Sequence, residues 1–305
     1  MSEIERAAGV LRGGGLVIFP TETVYGIGCD ATDPEAVARL YAAKGRPQFN
    51  PLIVHVPDLA AAEREARLHP KAHALAERFW PGPLSLVAPR RAESSVAELA
   101  CAGLATIALR APSHPVARAL LAAFGKPIAA PSANVSGRVS ATTAAHAAED
   151  LRSAAGAVLD AGPSPIGLES TIVSVDDSGA AALLRTGAIT RAEIEAITGP
   201  LAAPGGEVAA PGMLASHYAP RARLRLDASA PREGEAYLAF GAAAPAGGLT
   251  LSASGDLIEA AAKLYASLRA LDARGAAVIA VAPIPTGGLG EAIRDRLARA
   301  AAPRN

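Results

Sequence analysis

Residues able to do chemistry gather in five short polar clusters along this chain, and most of them stand where an apolar run ends. The first is Pro20–Gly28 (PTETVYGIG), in which Thr21, Glu22, Thr23 and Tyr25 follow directly on the apolar run Leu16–Phe19. Lys44-Gly45-Arg46-Pro47 is the second, with Asn50 and His55 close behind. In the third, Thr106–Arg110 (TIALR), strand alternation sends Thr106, Ala108 and Arg110 to one side, so a hydroxyl and a guanidinium share a face. The fourth, Pro131–Gly137 (PSANVSG), supplies Ser132, Asn134 and Ser136 and continues to Ser140, Thr142 and Thr143. A fifth sets Glu169, Ser170 and Thr171 before a hairpin-like turn and Arg185 and Thr186 after it.

Cations, hydroxyls and amides dominate these clusters, and no covalent nucleophile stands out. Arg presents a planar fork and Lys a compact point charge; hydroxyls beside a glycine suit phosphate or ribose oxygens. Such groups favour phosphoryl or nucleotidyl transfer by positioning and charge neutralisation. Each cluster also has a structural explanation. Lys44 and Arg46 end a helix, where cations interact with terminal carbonyls, and His55 lies in an apolar strand as a structural histidine would. Arg110 at a strand end needs an anionic partner, which a carboxylate ligand or a structural Asp or Glu would provide.

Other chemistries find no support. Gly26-Ile27-Gly28-Cys29-Asp30-Ala31 fits the loose dinucleotide pattern, but the next helix begins only at Asp33, so NAD binding is not expected. There is no G-x-x-x-x-G-K loop, G-x-S-x-G elbow, H-E-x-x-H pair or cysteine–histidine zinc spacing, and no protein metal site is expected.

The elements that must hold these clusters read as α/β or α+β. Ser2 and Glu5 open a helix that the glycines at 13 to 15 end. Asp33 and Pro34 start another, with Val37, Leu40 and Tyr41 on one face and Gly45 closing it. Strands are expected at Leu16–Phe19, Leu52–Val56, Leu84–Ala88, Thr106–Leu109, Ile128–Ala130, Ile172–Val175 and Leu183–Leu184. Between them, helices are expected at Pro70–Phe79, His114–Phe124, Thr142–Ala155 and Arg191–Ile197. From 199 to 212 the text GPLAAPGGEVAAPG reads as a linker or draped loop. Beyond it, strands near Leu224, Tyr237–Phe240, Leu249–Leu251 and Val278–Val281, with helices Asp256–Leu271 and Leu289–Ala300, suggest a small open α/β domain. The expected division is 1–198, a linker at 199–222, and 223–305.

Composition narrows the class. With 29 basic and 29 acidic residues the formal net charge is zero, which argues against a surface wrapped in nucleic acid but allows a local basic pocket. Cys29 and Cys101 are too few for a disulfide framework. Glu3 and Glu5 stand where a signal peptide would carry cations, and the apolar run around Ala276–Ala282 is far short of a bilayer span. A soluble, cytoplasmic protein without membrane partners is expected.

Taken in order, PTETVYGIG, KGRP with Asn50, FWPGPLSLV (Phe79–Val87), TIALRAP, PSANVSG and LESTIV resemble the YrdC/Sua5 family over residues 8–198. The PGM at 211–213, HYAP at 217–220 and the extra domain resemble its longer Sua5 form. That resemblance implies a YrdC-like twisted mixed sheet with surrounding helices, a concave cationic face, and a small Rossmann-like C-terminal domain. It implies synthesis of threonylcarbamoyl-AMP and pyrophosphate from L-threonine, bicarbonate and ATP with Mg²⁺, toward t6A at tRNA position 37. Downstream tRNA threonylcarbamoyl transferase proteins would take the product, and direct contact with tRNA is left open. By the same resemblance Thr23, His55 and Arg110 would hold threonine, with Ala130 and Thr171 or Ser170 beside it. Arg46, Asn50, Thr106, Ser132, Asn134, Ser140 and Arg185 would hold ATP. Lys44 would join Arg46 as the catalytic cations on the phosphates, and Tyr218 would fold over the nucleotide in a lid freed by Gly205, Gly206 and Gly212. Val139 stands where the family commonly has proline. An RNA-binding module is the competing reading; a carbamoyl-transfer domain of the hydrogenase-maturation type would need zinc-finger cysteines that this chain lacks.

Overall fold

The computed structural model describes residues 1–203, 211 and 217–303. The chain opens with α1 (Glu3–Arg12), whose N-terminal amide of Glu5 donates to the Ser2 hydroxyl at 3.1 Å. Then come β1 (Val17–Phe19), β2 (Gly26–Asp30), α2 (Pro34–Lys44), β3 (Ile53–His55), α3 (Leu59–Glu65) and α4 (Pro70–Phe79). These are followed by β4 (Leu84–Pro89), β5 (Thr106–Arg110), α5 (Pro115–Phe124), β6 (Ile128–Ala129), α6 (Ala144–Leu151) and β7 (Ala157–Val158). A hairpin of β8 (Thr171–Val175) and β9 (Ala181–Arg185) and then α7 (Arg191–Thr198) complete the first unit.

Its strands form one mixed sheet in the order β7-β1-β2-β6-β3-β5-β4-β8-β9. The middle of this sheet brings separate sequence clusters into register. His55 lies opposite Arg110 across the parallel β3–β5 pair and opposite Ile128 across the antiparallel β3–β6 pair. Leu40, Tyr41, Val54 and Leu109 fill one face of the core, and Leu11, Phe19, Leu120 and Ile128 fill another. Ile194 of α7 packs with Leu75 of α4, and residue 202 bridges to Ala182, so the chain through 202 stays with the large sheet.

One expectation needs correcting. No strand is expected within PTETVYGIG, yet Gly26–Asp30 is β2, a buried strand paired with β1 and β6. Gly28 explains it: a Cβ there would stand 2.6 Å from Ile128 Cγ2 and 2.8 Å from Phe19 Cε1. The glycine is a packing requirement, not a turn.

Residues 223–303 build a second sheet from β10 (Arg223–Arg225), β11 (Ala236–Ala239), β12 (Leu249–Thr250) and β13 (Val278–Val281), in the order β10-β13-β11-β12. All three pairings are parallel. With α8 (Leu257–Asp272) and α9 (Leu289–Ala301) this is a small parallel α/β domain, as expected. Its core of Leu238, Leu264, Ile279 and Ile293 is continuous with Val24, Val139 and Leu168 of the first unit and Tyr218 of the connecting segment. Buried apolar surface therefore joins the two units. Among the described residues no helix is long and apolar enough to cross a membrane.

Candidate active site

Strand ends and the loops beside them converge on one cavity of about 50 Å³. Thr21 and Thr23 reach it from the loop before β2, His55 and Arg110 from the ends of β3 and β5, and Ala130 and Ser132 from the loop after β6. Arg46 enters from the turn after α2, Ser170 from the start of β8 and Arg185 from the end of β9, while Pro211, His217 and Tyr218 cover it.

The two sides of this cavity differ in charge. On one side Arg110 Nη2 donates to Glu22 Oε1 at 2.5 Å and Nε to the Gly82 carbonyl at 3.2 Å, so neither bond uses Nη1. Burial would raise the Glu22 pKa, but the Arg110 charge and hydrogen bond outweigh it and hold the carboxyl below its ordinary range. Glu22 Oε2 also accepts from the backbone amides of Ser113 and His114 at 3.1 and 3.3 Å, fixing this group at the start of α5. Of the two partners the sequence left open for Arg110, the structural carboxylate is present. Next to it, burial and the Arg110 cation push His55 down to about 3, so the ring is neutral at pH 7. Its Nδ1 is buried without a hydrogen-bond partner among the described residues, and its ring meets Phe19 edge-on at 6.1 Å. Thr21 and Thr23 share a hydroxyl contact of 2.8 Å.

On the other side three cations are buried against neutral oxygens. Arg46 Nε donates to the Asn50 carbonyl at 3.0 Å, and its Nη2 to Asn50 Oδ1 and the residue 51 carbonyl at 2.7 and 2.8 Å. Burial lowers Arg46 to about 10. Arg185 donates from Nε and Nη2 to Ser170 O and Oγ, each at 3.0 Å, and from Nη1 to the Pro211 carbonyl at 3.3 Å. Lys44 Nζ donates to the carbonyls of Ser132 and Asn134, and burial drives its pKa well down. Among the described residues none of the three has a carboxylate partner. Asn50 Nδ2 is also buried and unpartnered.

Several expected site residues stand elsewhere. Lys44 was expected on the phosphates; its ammonium lies beneath the 132–134 loop, away from the cavity wall. Thr106 begins β5 opposite Pro89, at the far end of the strand from Arg110. Asn134 Nδ2 holds the Val135 and Arg138 carbonyls, both at 2.9 Å. Ser140 Oγ donates to Glu169 Oε1 at 2.5 Å, and Thr171 Oγ1 to the Ile189 carbonyl at 2.7 Å. These side chains shape the loops around the cavity. Gly205, Gly206 and Gly212 lie outside the described residues.

Tyr218 lines the cavity from the segment between the two domains. It is fully buried with φ of +62°, a left-handed conformation that a tyrosine adopts at a cost. Its ring stacks on Tyr265 at 5.8 Å and lies under the Arg296 guanidinium at 5.2 Å, while its hydroxyl has no partner among the described residues. The amide of Ala219 donates to the Gly137 carbonyl at 2.9 Å, docking this segment on the loop after β6.

Sequence reasoning placed Glu169 in a polar cluster without a role and missed its two partners, Tyr265 and Arg296. Glu169 lines the cavity, with Tyr265 Oη and Arg296 Nε of the second domain each donating to its Oε2 at 2.8 Å. Burial would raise Glu169, but Arg296 and Arg185 outweigh it and bring it to about 2. A signal for Arg296 was present: it falls in the apolar stripe Ile293, Leu297, Ala300 of α9, where a charge demands a buried partner.

A larger cleft of about 490 Å³ lies between β9 and α9. Its Arg191 and Arg294 are paired with Glu291 at 2.7 Å and Asp227 at 3.2 Å, and it shares Arg185 with the smaller cavity. No cluster of His, Cys, Asp or Glu able to hold a metal occurs among the described residues. Of the carboxylates at or beside the cavity, Glu169 is engaged by Arg296 and Glu22 by Arg110.

Fold and site define a two-domain α/β protein whose cavity, lined by buried cations, lies where the domains meet. Residues 9–187 match the family model Sua5_yciO_yrdC, described as "Telomere recombination", and residues 189–302 match "Threonylcarbamoyl-AMP synthase, C-terminal domain". The chain belongs to the Sua5/YciO/YrdC family. It is 39% identical to the threonylcarbamoyl-AMP synthase of Bacillus subtilis strain 168, over 99% of this chain and 94% of that protein. It is also 39% identical to that of Pyrococcus abyssi, over 98% and 94%. The crystal structure of P. abyssi Sua5 complexed with L-threonine superposes with a TM-score of 0.90 at 36% identity, covering 99% of this chain and 95% of that one.

Proposed function

We propose that this chain makes threonylcarbamoyl-AMP and pyrophosphate from L-threonine, bicarbonate and ATP, supplying the threonylcarbamoyl group for adenosine 37 of tRNA. The observation that carries this reading is the set of buried cations with only neutral partners, Arg46 and Arg185 at the wall and Lys44 behind it. Buried charge left without an opposite charge is costly, and a bound triphosphate supplies it. An amino-acid side next to it, formed by Thr23, His55 and Arg110, fits the threonine bound by the P. abyssi relative.

The chemistry proceeds in two balanced steps. The threonine amine adds to the bicarbonate carbon and water leaves, giving a carbamate. A carbamate oxygen then attacks the α-phosphorus of ATP, the bond to the bridging β-oxygen breaks, and pyrophosphate departs with that electron pair. Arg46 and Arg185 neutralise charge gathering on the phosphates, and Asn50 holds Arg46 in place through its Oδ1. Magnesium, carried in on the triphosphate, adds positive charge there. Lys44 acts one layer back, fixing the Ser132 and Asn134 carbonyls so that the loop keeps its shape. Arg110 Nη1 meets the threonine carboxylate, and the neutral His55 ring hydrogen-bonds without adding charge.

Carbamates and acyl adenylates react with water, so the cover of Pro211, His217 and Tyr218 protects them. Pockets for ligands of this size span roughly 300–1,000 Å³, so ATP enters a cavity of about 50 Å³ only as this cover moves. A product this labile would pass directly to tRNA threonylcarbamoyl transferase proteins. Pyrophosphate release measured with threonine or serine, with and without bicarbonate, tests the reading. Release requires both threonine and bicarbonate; release indifferent to either sinks it.

A further inference from the structure

Two side chains of the second domain converge on one buried carboxylate of the cavity wall. Glu169 Oε1 accepts from Ser140 Oγ at 2.5 Å, and Oε2 accepts from Tyr265 Oη and Arg296 Nε at 2.8 Å each. Arg296 is 1% exposed, and its remaining nitrogens donate to Asp295 Oδ2 at 2.6 Å and to the Thr186 carbonyl at 2.7 Å. Arg185 is the neighbouring cation: it bonds the backbone and side chain of Ser170, the residue after Glu169, and it feels the Glu169 charge directly. Yet Arg185 has no carboxylate partner among the described residues, because every described bond to Glu169 comes from elsewhere.

We propose that Arg296 is a positioning residue for nucleotide binding, holding the Glu169 carboxylate so that Arg185 stays free of an internal ion pair and available to a phosphate. This rests on the nucleotide-binding reading above and assigns the second domain a part in it. Arg185, Arg296 and Glu169 share this corner, with Asp295 on the far side of Arg296. With Glu169 bonded to Arg296 and not to Arg185, the Arg185 charge stays without an ion-pair partner among the described residues at the cavity wall. Without Arg296 the carboxylate would turn to Arg185, the nearest other cation, and a phosphate would have to displace it. The stacking of Arg296 on Tyr218 ties the same side chain to the segment that covers the cavity.

Titration calorimetry with Mg-ATP alone, on the full chain, tests this. Arg296→Met weakens ATP binding by roughly tenfold or more, Glu169→Gln tightens it, and the double variant returns to within about threefold of the parent, since the charges compensate. A purely architectural role predicts the opposite pattern, with both single variants weaker and the double variant weakest; that result overturns the proposal. If Arg296→Met does not fold, Glu169→Gln still decides, because weaker ATP binding in that variant also overturns it. A parent protein that fails to bind ATP overturns the functional reading as well, whereas a parent that binds without the compensating pattern overturns only this inference.

Discussion

Lys44 and Arg46 lie two positions apart at the end of one helix, yet the fold gives them different work. Arg46 stands at the cavity wall, and Lys44 turns its ammonium to two backbone carbonyls behind it. Lys44→Met therefore leaves Ser132 and Asn134 without their donor and lowers the unfolding free energy by about 1–3 kcal/mol in denaturant titrations; an unchanged midpoint would show the bonds to be idle. Arg46→Met, by contrast, loosens ATP more than it unfolds the chain. The histidines make a prediction of their own. Burial holds His55 and His217 near 3 in the folded chain against an ordinary 6.5. Both pKa values are depressed on folding, so the stability from keeping these rings neutral is full above pH 6.5 and is lost as pH falls toward 3. Unfolding free energies measured between pH 7 and 3 decline across that window, and the His55→Gln, His217→Gln double variant removes part of the slope. At this scale the sequence was informative about residue types, since Thr23, His55, Arg110, Ser132, Ser170 and Arg185 all reach the cavity. It said nothing of who bonds whom: Glu22 and Arg110 are 88 positions apart.

Helix ends were legible because their physics is local. Asp33 accepts from the Glu35 amide at 2.9 Å, and Thr190 forms a reciprocal capping box with Glu193, so α2 and α7 begin where short-range signals place them. β2 was not legible, because two glycines in five residues argue against a strand until the neighbours are known. Those neighbours connect it to function. Gly28→Ala drives a methyl into Phe19 and Ile128, and Ile128 lies opposite His55 while Phe19 packs edge-on against its ring. Overpacking of this kind costs about 1–3 kcal/mol. Beyond that loss, the variant weakens threonine binding more than ATP binding, because the displaced rings belong to the threonine side. Equal losses for both ligands would mean that Gly28 supports the sheet as a whole and not that side of the cavity.

Across the whole molecule, the second domain is a structural partner of the first, a relationship that its own sequence signals only through Arg296 in the apolar stripe of α9. Its helices look amphipathic and ordinary, but α8 and α9 turn Tyr265, Arg269 and Arg296 toward the loops that build the cavity. Arg269 donates to the Val139 carbonyl at 2.7 Å and pairs with Asp150 at 2.5 Å, both side chains being largely buried. It thus grips the loop that carries Ser140, whose hydroxyl in turn bonds Glu169. Breaking a buried ion pair by removing one member costs roughly 3–5 kcal/mol. Because Val24, Val139 and Leu168 also lie in the second domain's core, that cost falls on the junction and not on either domain alone. Calorimetry on the parent chain therefore gives one cooperative transition, and Arg269→Ala lowers its midpoint and splits it in two, with the second domain separating from the first. Two independent transitions in the parent would show that the domains fold without regard to one another, and the shared core would then count for little. If the parent melts as one and Arg269→Ala merely shifts the midpoint, the apolar contacts hold the junction and the arginine only trims it.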